Sequence, residues 1–153
     1  MLLLFHHVHL QSNNGVYTVG DFMTKKEDLV VVRPTTLIDE ALDLLVENRI
    51  SGFPVIDDNW KLVGVVSDYD LLALDSISGK TNGKVIGDLM TPAPLVVRET
   101  TNLEDAARLL LETKYHRLPV VDGDGKLVGI LTRGSVVRGA LKIKREMDER
   151  TLS

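Results

Sequence analysis

The stretch Val19-Gly-Asp-Phe-Met-Thr24 returns later in the chain as Ile86-Gly-Asp-Leu-Met-Thr91. Downstream of both copies the similarity continues at a constant offset of 65 positions. Sixteen of the forty-four residues in 31–74 are identical to their partners in 96–139, with no gap. Phe53-Pro-Val-Ile-Asp57 answers Leu118-Pro-Val-Val-Asp122, and Lys61-Leu-Val-Gly64 answers Lys126-Leu-Val-Gly129. Self-similarity of this extent means that one structural unit is present twice.

Each copy reads as strand, helix, strand, strand, helix, which makes the fold class α/β (α+β) with two β-α-β-β-α modules in tandem. Leu29–Arg33 and its copy Leu95–Arg98 are short and Val-rich, as strands are. Ile38, Ala41, Leu42, Leu45, Val46 and Ile50 then fall at helical spacing, as do Leu103, Ala106, Ala107, Leu110 and Leu111. Thr101-Asn-Leu-Glu104 has the form of a capping box at the start of that helix, and Thr36-Leu-Ile-Asp39 is a weaker version. A hairpin follows, in which strands around Pro54-Val-Ile56 and Leu62–Val66 flank Asp57-Asp-Asn59; the copy turns at Asp122-Gly-Asp-Gly125. The last helix begins at Ser67 and at Thr132. A module of roughly 60 residues is marginal as a lone core, so the two are expected to pack about a pseudo-twofold axis that leaves two clefts. The expected organisation is an atypical N-terminus over 1–15, modules over 16–79 and 80–144, and a tail over 145–153. Leu141-Lys-Ile-Lys-Arg-Glu-Met147 reads as an amphipathic helix that either joins a dimer contact or frays at the surface.

Composition narrows the function. The 153 residues carry a net charge of −4, so there is no basic stripe for nucleic acid. The absence of cysteine excludes disulfides, thiolate chemistry and Cys-ligated zinc from the chain itself. No apolar run approaches the length of a membrane span, and the N-terminal residues have neither signal-peptide nor transit-peptide character. His6, His7 and His9 cluster without an accompanying carboxylate, and no metal site is expected from them. There is no Gly-rich phosphate loop, no His pair at metal-binding spacing and no nucleophile elbow, so the chain reads as a protein that is not an enzyme.

The ordered set of Val-Gly-Asp-Phe-Met-Thr, Pro-Val-Ile-Asp and Leu-Val-Gly, present twice, resembles the cystathionine-β-synthase (CBS) domain family over residues 17 to about 144. Ser67-Asp-Tyr-Asp-Leu-Leu-Ala-Leu-Asp-Ser-Ile-Ser-Gly79 and Asp88–Val97 are similar to plant proteins that consist of a single CBS pair. The resemblance implies a regulatory protein with no covalent cofactor that binds an adenosine nucleotide (AMP, ADP or ATP) and forms homodimers. It also implies a thioredoxin-type partner and residence in the chloroplast stroma, with cytosol or mitochondrion as alternatives because no transit peptide is visible. Those relatives carry an insertion after Ser-Ile-Ser-Gly that is missing here, where 75–84 make a loop of ordinary length.

In such pairs the last helix opens with Ser/Thr-x-x-Asp. The resemblance assigns the hydroxyl to the phosphate end of the nucleotide and the Asp to the ribose hydroxyls. Ser67-Asp68-Tyr69-Asp70 fits. A carboxylate is a suitable acceptor for a vicinal diol, but Ser-x-x-Asp is also nearly a capping box, and spacing alone leaves both open. The second copy reads Thr132-Arg133-Gly134-Ser135, so its site is expected to be weaker or empty. His116-Arg117 stand where the gamma subunit of AMP-activated protein kinase carries a phosphate-contacting pair. The resemblance therefore implies a composite site of Asp70 with His116, Arg117 and Arg133, against a reading of the arginines as solvated surface charges. Adenine would rest near Thr24, Thr36, Ile50, Phe53, Pro54 and Val55, most of which also suit a core. Tyr115 and Trp60 are further aromatic candidates, Trp60 being better placed for a surface or dimer contact. Against the nucleotide sensor stands a ligand-free interaction and dimerisation module with vestigial clefts.

Overall fold

A computed structural model of the chain describes residues 17–73, 84–93, 95–112 and 116–152. The expectations at 1–15, at the three N-terminal histidines, across 75–83 and at Tyr115 lie outside the described residues. The elements are β1 (Thr24–Lys25), α1 (Ile38–Asn48), β2 (Gly52–Ile56), β3 (Leu62–Ser67), α2 (Asp68–Leu72), α3 (Leu103–Glu112), β4 (Arg117–Val121), β5 (Leu127–Thr132) and α4 (Arg133–Leu152). Single 3-10 turns lie at Val19–Asp21, Lys26–Asp28 and Ile86–Asp88. The fold is mixed α+β, with the strand–strand–helix part of each repeat where the sequence puts it.

Two compact units form, and they are not the two halves of the sequence. The first-repeat unit contains 28–94 together with 123–127; the second-repeat unit contains the residues up to 27 with 95–122 and 128–153. Each Gly-Asp-x-Met-Thr lead-in thus builds onto the unit of the other repeat.

In the first-repeat unit β2 and β3 form an antiparallel hairpin, pairing Gly52 with Ser67 and Val55 with Gly64, with a register irregularity between Val55 and Ile56. Val32, Ile38, Ala41, Phe53, Val55, Val66, Leu71 and Ile86 make its core. Each large aliphatic side chain of this kind contributes about 1.5–3 kcal/mol on full burial. The lead-in runs along the unit: Leu37 bridges Val85, and Thr91 bridges Val65. The Ile38 N–H donates to the Lys84 carbonyl at 3.0 Å, so the start of α1 is satisfied by a neighbouring backbone. No side chain caps it. The Thr36 hydroxyl instead accepts from the Arg33 N–H at 3.0 Å, and the Thr36 N–H donates back to the Arg33 carbonyl at 3.0 Å. The expected Thr cap is spent on closing that turn. Residues 123–127 complete the unit: the Leu62 N–H donates to the Gly125 carbonyl and the Leu127 N–H to that of Trp60. Trp60 sits at φ 63°, a left-handed conformation that its repeat counterpart Gly125 (φ 81°) adopts without steric cost.

In the second-repeat unit the sheet order is β1-β5-β4. β1 lies antiparallel on β5, with Thr24 opposite Ile130 and Lys25 opposite Gly129. The core gathers Val19, Val97, Leu103, Ala106, Ala107, Leu110, Leu118, Val120, Leu131, Val136 and Ile143. Here too the Thr closes a turn, its Oγ1 accepting from the Arg98 N–H at 2.9 Å. The cap falls one residue later, where Asn102 Oδ1 accepts from the Glu104 N–H at 2.8 Å. α4 does not stop near 144: Ile143 is buried and Met147 packs on the core, so the stretch expected as a tail continues the helix to Leu152. The Tyr17 hydroxyl donates to Glu146 Oε1 at 2.5 Å. Its ring meets Phe22 edge-on at 5.3 Å and lies 5.4 Å from the Lys142 ammonium.

The expected strands Leu29–Arg33 and Leu95–Arg98 reduce to one parallel bridge each, Val32 with Val55 and Val97 with Val120. Proline is the reason. The Val32 N–H donates to the Pro54 carbonyl and its carbonyl accepts from Ile56. Extending the ladder back to residue 30 would require an N–H from Pro54, which has none. Pro119 ends the second ladder in the same way.

Candidate functional site

The end of β3 and the start of α2 bring the Ser67–Asp70 motif together. The Ser67 N–H donates to Asp70 Oδ2 at 3.0 Å, and the Asp70 N–H donates to Ser67 Oγ at 3.1 Å. The capping box is complete in both directions. It nevertheless leaves chemistry over. Ser67 Oγ acts as an acceptor there, so its hydroxyl hydrogen remains available to donate, and Asp70 Oδ1 has no partner among the described residues. Both residues are half-buried. The motif therefore works as a cap and also presents an unengaged carboxylate oxygen.

Two contacts hold this corner in place. The Asp68 N–H donates to the Ser51 carbonyl at 2.8 Å, and Gly52 lies opposite Ser67 in the hairpin. A Cβ at Gly52 would stand 2.7 Å from the Val66 carbonyl oxygen and 3.2 Å from Ser67 Cα, so only glycine lets β2 approach so closely. Sequence comparison alone hides this residue, because its repeat counterpart is Arg117.

Asp68 and Asp70 both lie in the first turn of α2. Two carboxylates suit the positive end of a helix but repel an incoming phosphate. A neutral, hydroxyl-bearing group suits this corner better than an anion does.

The other expected residues divide between the units. Phe53, Pro54 and Val55 are buried in β2; Phe53 and Val55 belong to the first-repeat core, and Ile50 packs against it. The Thr36 hydroxyl serves its turn. Thr24 lies on β5 in the second-repeat unit, and the lead-in residue on the edge of β3 is Thr91, whose N–H and C=O both bond Val65. The lead-in repeats at an offset of 67 where the rest repeats at 65, a length difference that does not reveal the exchange. In the second-repeat unit His116 is exposed, Arg117 opens β4 half-buried, Thr132 is half-buried and Arg133 is exposed at the start of α4.

Ser135, the counterpart of Asp70, is wholly buried. Its hydroxyl lies 3.0 Å from that of Thr132 and accepts from the Thr132 N–H at 3.4 Å and from Arg138 Nη2 at 3.3 Å. The Ser135 N–H in turn donates to Thr132 Oγ1 at 3.1 Å. Among the described residues no group of three or more histidines or carboxylates is placed to hold a metal. No described helix is long and apolar enough to cross a membrane.

The family model "CBS domain" matches residues 19–76 and 86–142, and the chain belongs to that family as a pair of CBS domains. It is 68% identical over 162 aligned positions to the CBS domain-containing protein CBSX1, chloroplastic, of Arabidopsis thaliana, covering 88% of this chain and 69% of that protein. To CBSX2, chloroplastic, of the same plant it is 62% identical over 167 positions, covering 92% of this chain and 70% of that one. Both alignments are longer than this chain, so the relatives hold residues without a counterpart here, in keeping with the missing insertion. A crystal structure of CBSX2 in complex with AMP superposes with a TM-score of 0.77 at 71% identity, covering 84% of this chain and 98% of that one.

Proposed function

We propose that this chain is a non-catalytic adenosine-nucleotide sensor whose ribose-binding residues are Ser67 and Asp70. The observation that carries the reading is the unengaged Asp70 Oδ1 beside a Ser67 hydroxyl that retains its hydrogen. An acceptor and a donor side by side match the two hydroxyls of a ribose diol. The likeness to CBSX2, which holds AMP in its crystal structure, supports AMP as the first ligand to test. In this proposal the α2 corner takes the ribose alone, because its two carboxylates repel a phosphate.

The signal is a shift between states of different nucleotide affinity, read by a partner enzyme. A thioredoxin-type partner, a homodimeric assembly and a plastid location belong to the same proposal, the last supported by the chloroplastic relatives. The alternative, an interaction module that needs no ligand, is favoured by one observation: the Ser67–Asp70 box is complete as a cap by itself.

Calorimetric titration of AMP into the wild type and Asp70→Ala separates the two. The sensor reading expects saturable binding that weakens by about one to two orders of magnitude in the variant, as the loss of a charged acceptor of about 1.5–3 kcal/mol requires. Equal affinity in the two proteins removes Asp70 from the site, and no binding of AMP, ADP or ATP leaves the interaction module.

A further inference from the structure

The two repeats differ at the start of their last helices in a way that goes past the exchange of Asp70 for Ser135. Aligned at the repeat offset, Asp70 answers Ser135, Ala73 answers Arg138, and Tyr69 answers Gly134. The first two of these differences act together. Arg138 reaches back over the first turn of α4 to donate to Ser135 Oγ at 3.3 Å. Its Nη1 lies 3.6 Å from where a Cβ on Gly134 would stand, an ordinary contact distance. In the first repeat, Ala73 has no group to fold back, and the Tyr69 side chain is turned out and exposed.

A hydroxyl offers one hydrogen and two lone pairs. Ser135 Oγ accepts from the Thr132 N–H and from Arg138, and it lies 3.0 Å from Thr132 Oγ1, a contact in which either hydroxyl can donate. Both lone pairs are taken within the protein, at a residue with no exposed surface. Asp70 uses one acceptor position and keeps a whole carboxylate oxygen open.

We infer that Ser135 and Arg138 form a lock that closes the second repeat's copy of the ribose corner, and that this pair restricts the chain to one nucleotide. The inference rests on the ribose reading of Ser67–Asp70 and adds the residues that set stoichiometry. Arg138 acts as the arm of the lock; Ser135 is its catch.

The test grafts the first repeat's residues onto the second in the full-length chain, Ser135→Asp with Arg138→Ala, and titrates AMP calorimetrically. The expected result is a rise from about one to about two AMP per chain, with the original Kd kept for the first site. Adding Asp70→Ala to this double variant should leave the grafted site as the stronger of the two. The reverse graft, Asp70→Ser with Ala73→Arg at the exposed residue that follows α2, guards against a forward graft that fails to fold. It should abolish binding while the circular dichroism spectrum stays that of the wild type.

Two AMP per wild-type chain would overturn the lock, as would a folded forward graft that still binds one; a reverse graft that binds normally would sink the ribose reading of Asp70. A wild type that binds none while the forward graft binds one would sink the ribose reading of Asp70 and uphold the lock. Absence of binding in both would sink the two together.

Discussion

Gly129→Ala probes the structural feature that most changes the reading of this chain, the docking of the first lead-in onto β5. Gly129 faces β1 across the sheet. A Cβ there would stand 2.6 Å from the Thr24 carbonyl oxygen, 2.7 Å from Met23 Sδ and 3.2 Å from Met23 Cγ. The Met side chain can swing away, but the Thr24 oxygen is backbone. Carbon and oxygen in weak contact sit at about 3.3 Å or more, so β1 must retreat by roughly 0.7 Å. Overpacking of this kind costs about 1–3 kcal/mol, and in a chain of this size each kcal/mol lowers Tm by about 2–4 °C. A loss of about 2 kcal/mol and about 4–8 °C is therefore expected, measured by urea and thermal unfolding followed by far-UV circular dichroism. Gly125→Ala is the control. Its φ is 81° with nothing within 4 Å of the added carbon, so its cost is purely conformational, at about 1–2 kcal/mol. A Gly129→Ala protein within about 0.5 kcal/mol of the wild type, the range of an ordinary surface change, would refute the docking of Thr24 against β5.

Two further outcomes can be checked without ligand. Ser67→Ala removes the hydroxyl that accepts from the Asp70 N–H and should cost about 1 kcal/mol in urea denaturation; an unchanged midpoint would mean the cap is idle. The Tyr17 phenol is pushed up to about 12, first by its hydrogen bond to Glu146, then by burial and by the nearby negative charges of Glu146 and Asp21. The unfolded phenol titrates near 10, so the stabilisation is fully present below about pH 10 and is lost as pH rises towards 12. Tyr17→Phe should therefore be less stable than the wild type at neutral pH, with the gap closing over that window. A gap that stays constant through it, or tyrosinate absorbance showing no late-titrating group in the wild type, would contradict the contact.

Much of the fold was legible because it depends on local pattern. The helices α1 and α3 follow from the spacing of residues such as Ile38, Ala41, Leu103 and Ala106, and the hairpins from paired strands around Asp57–Asn59 and Asp122–Gly125. The site was legible as far as Ser67 and Asp70, since a cap is a contact between residues three apart. The capping boxes at Thr36 and Thr101 failed for a physical reason. Each Thr closes a turn with an Arg three residues upstream, and the helix start finds its acceptor elsewhere. For α1 this is the Lys84 carbonyl, and for α3 the Tyr17 carbonyl accepts from Leu103. Those acceptors are far away in sequence and leave no mark in a local motif.

By itself, the amino-acid sequence determined that one module occurs twice, what its helices and hairpins are, and that the two copies differ at Asp70 and Ser135. These are matters of periodicity and of aligned residue types. Only the tertiary structure decided which lead-in completes which unit, because backbone pairing such as Thr24 with Ile130 and Thr91 with Val65 joins residues far apart in sequence and leaves no local pattern. It also decided that Asp70 keeps an open oxygen while Ser135 is consumed by Thr132 and Arg138. Hydrogen-bonding capacity belongs to a residue, but whether that capacity is already filled depends on what the fold brings within about 3 Å of it.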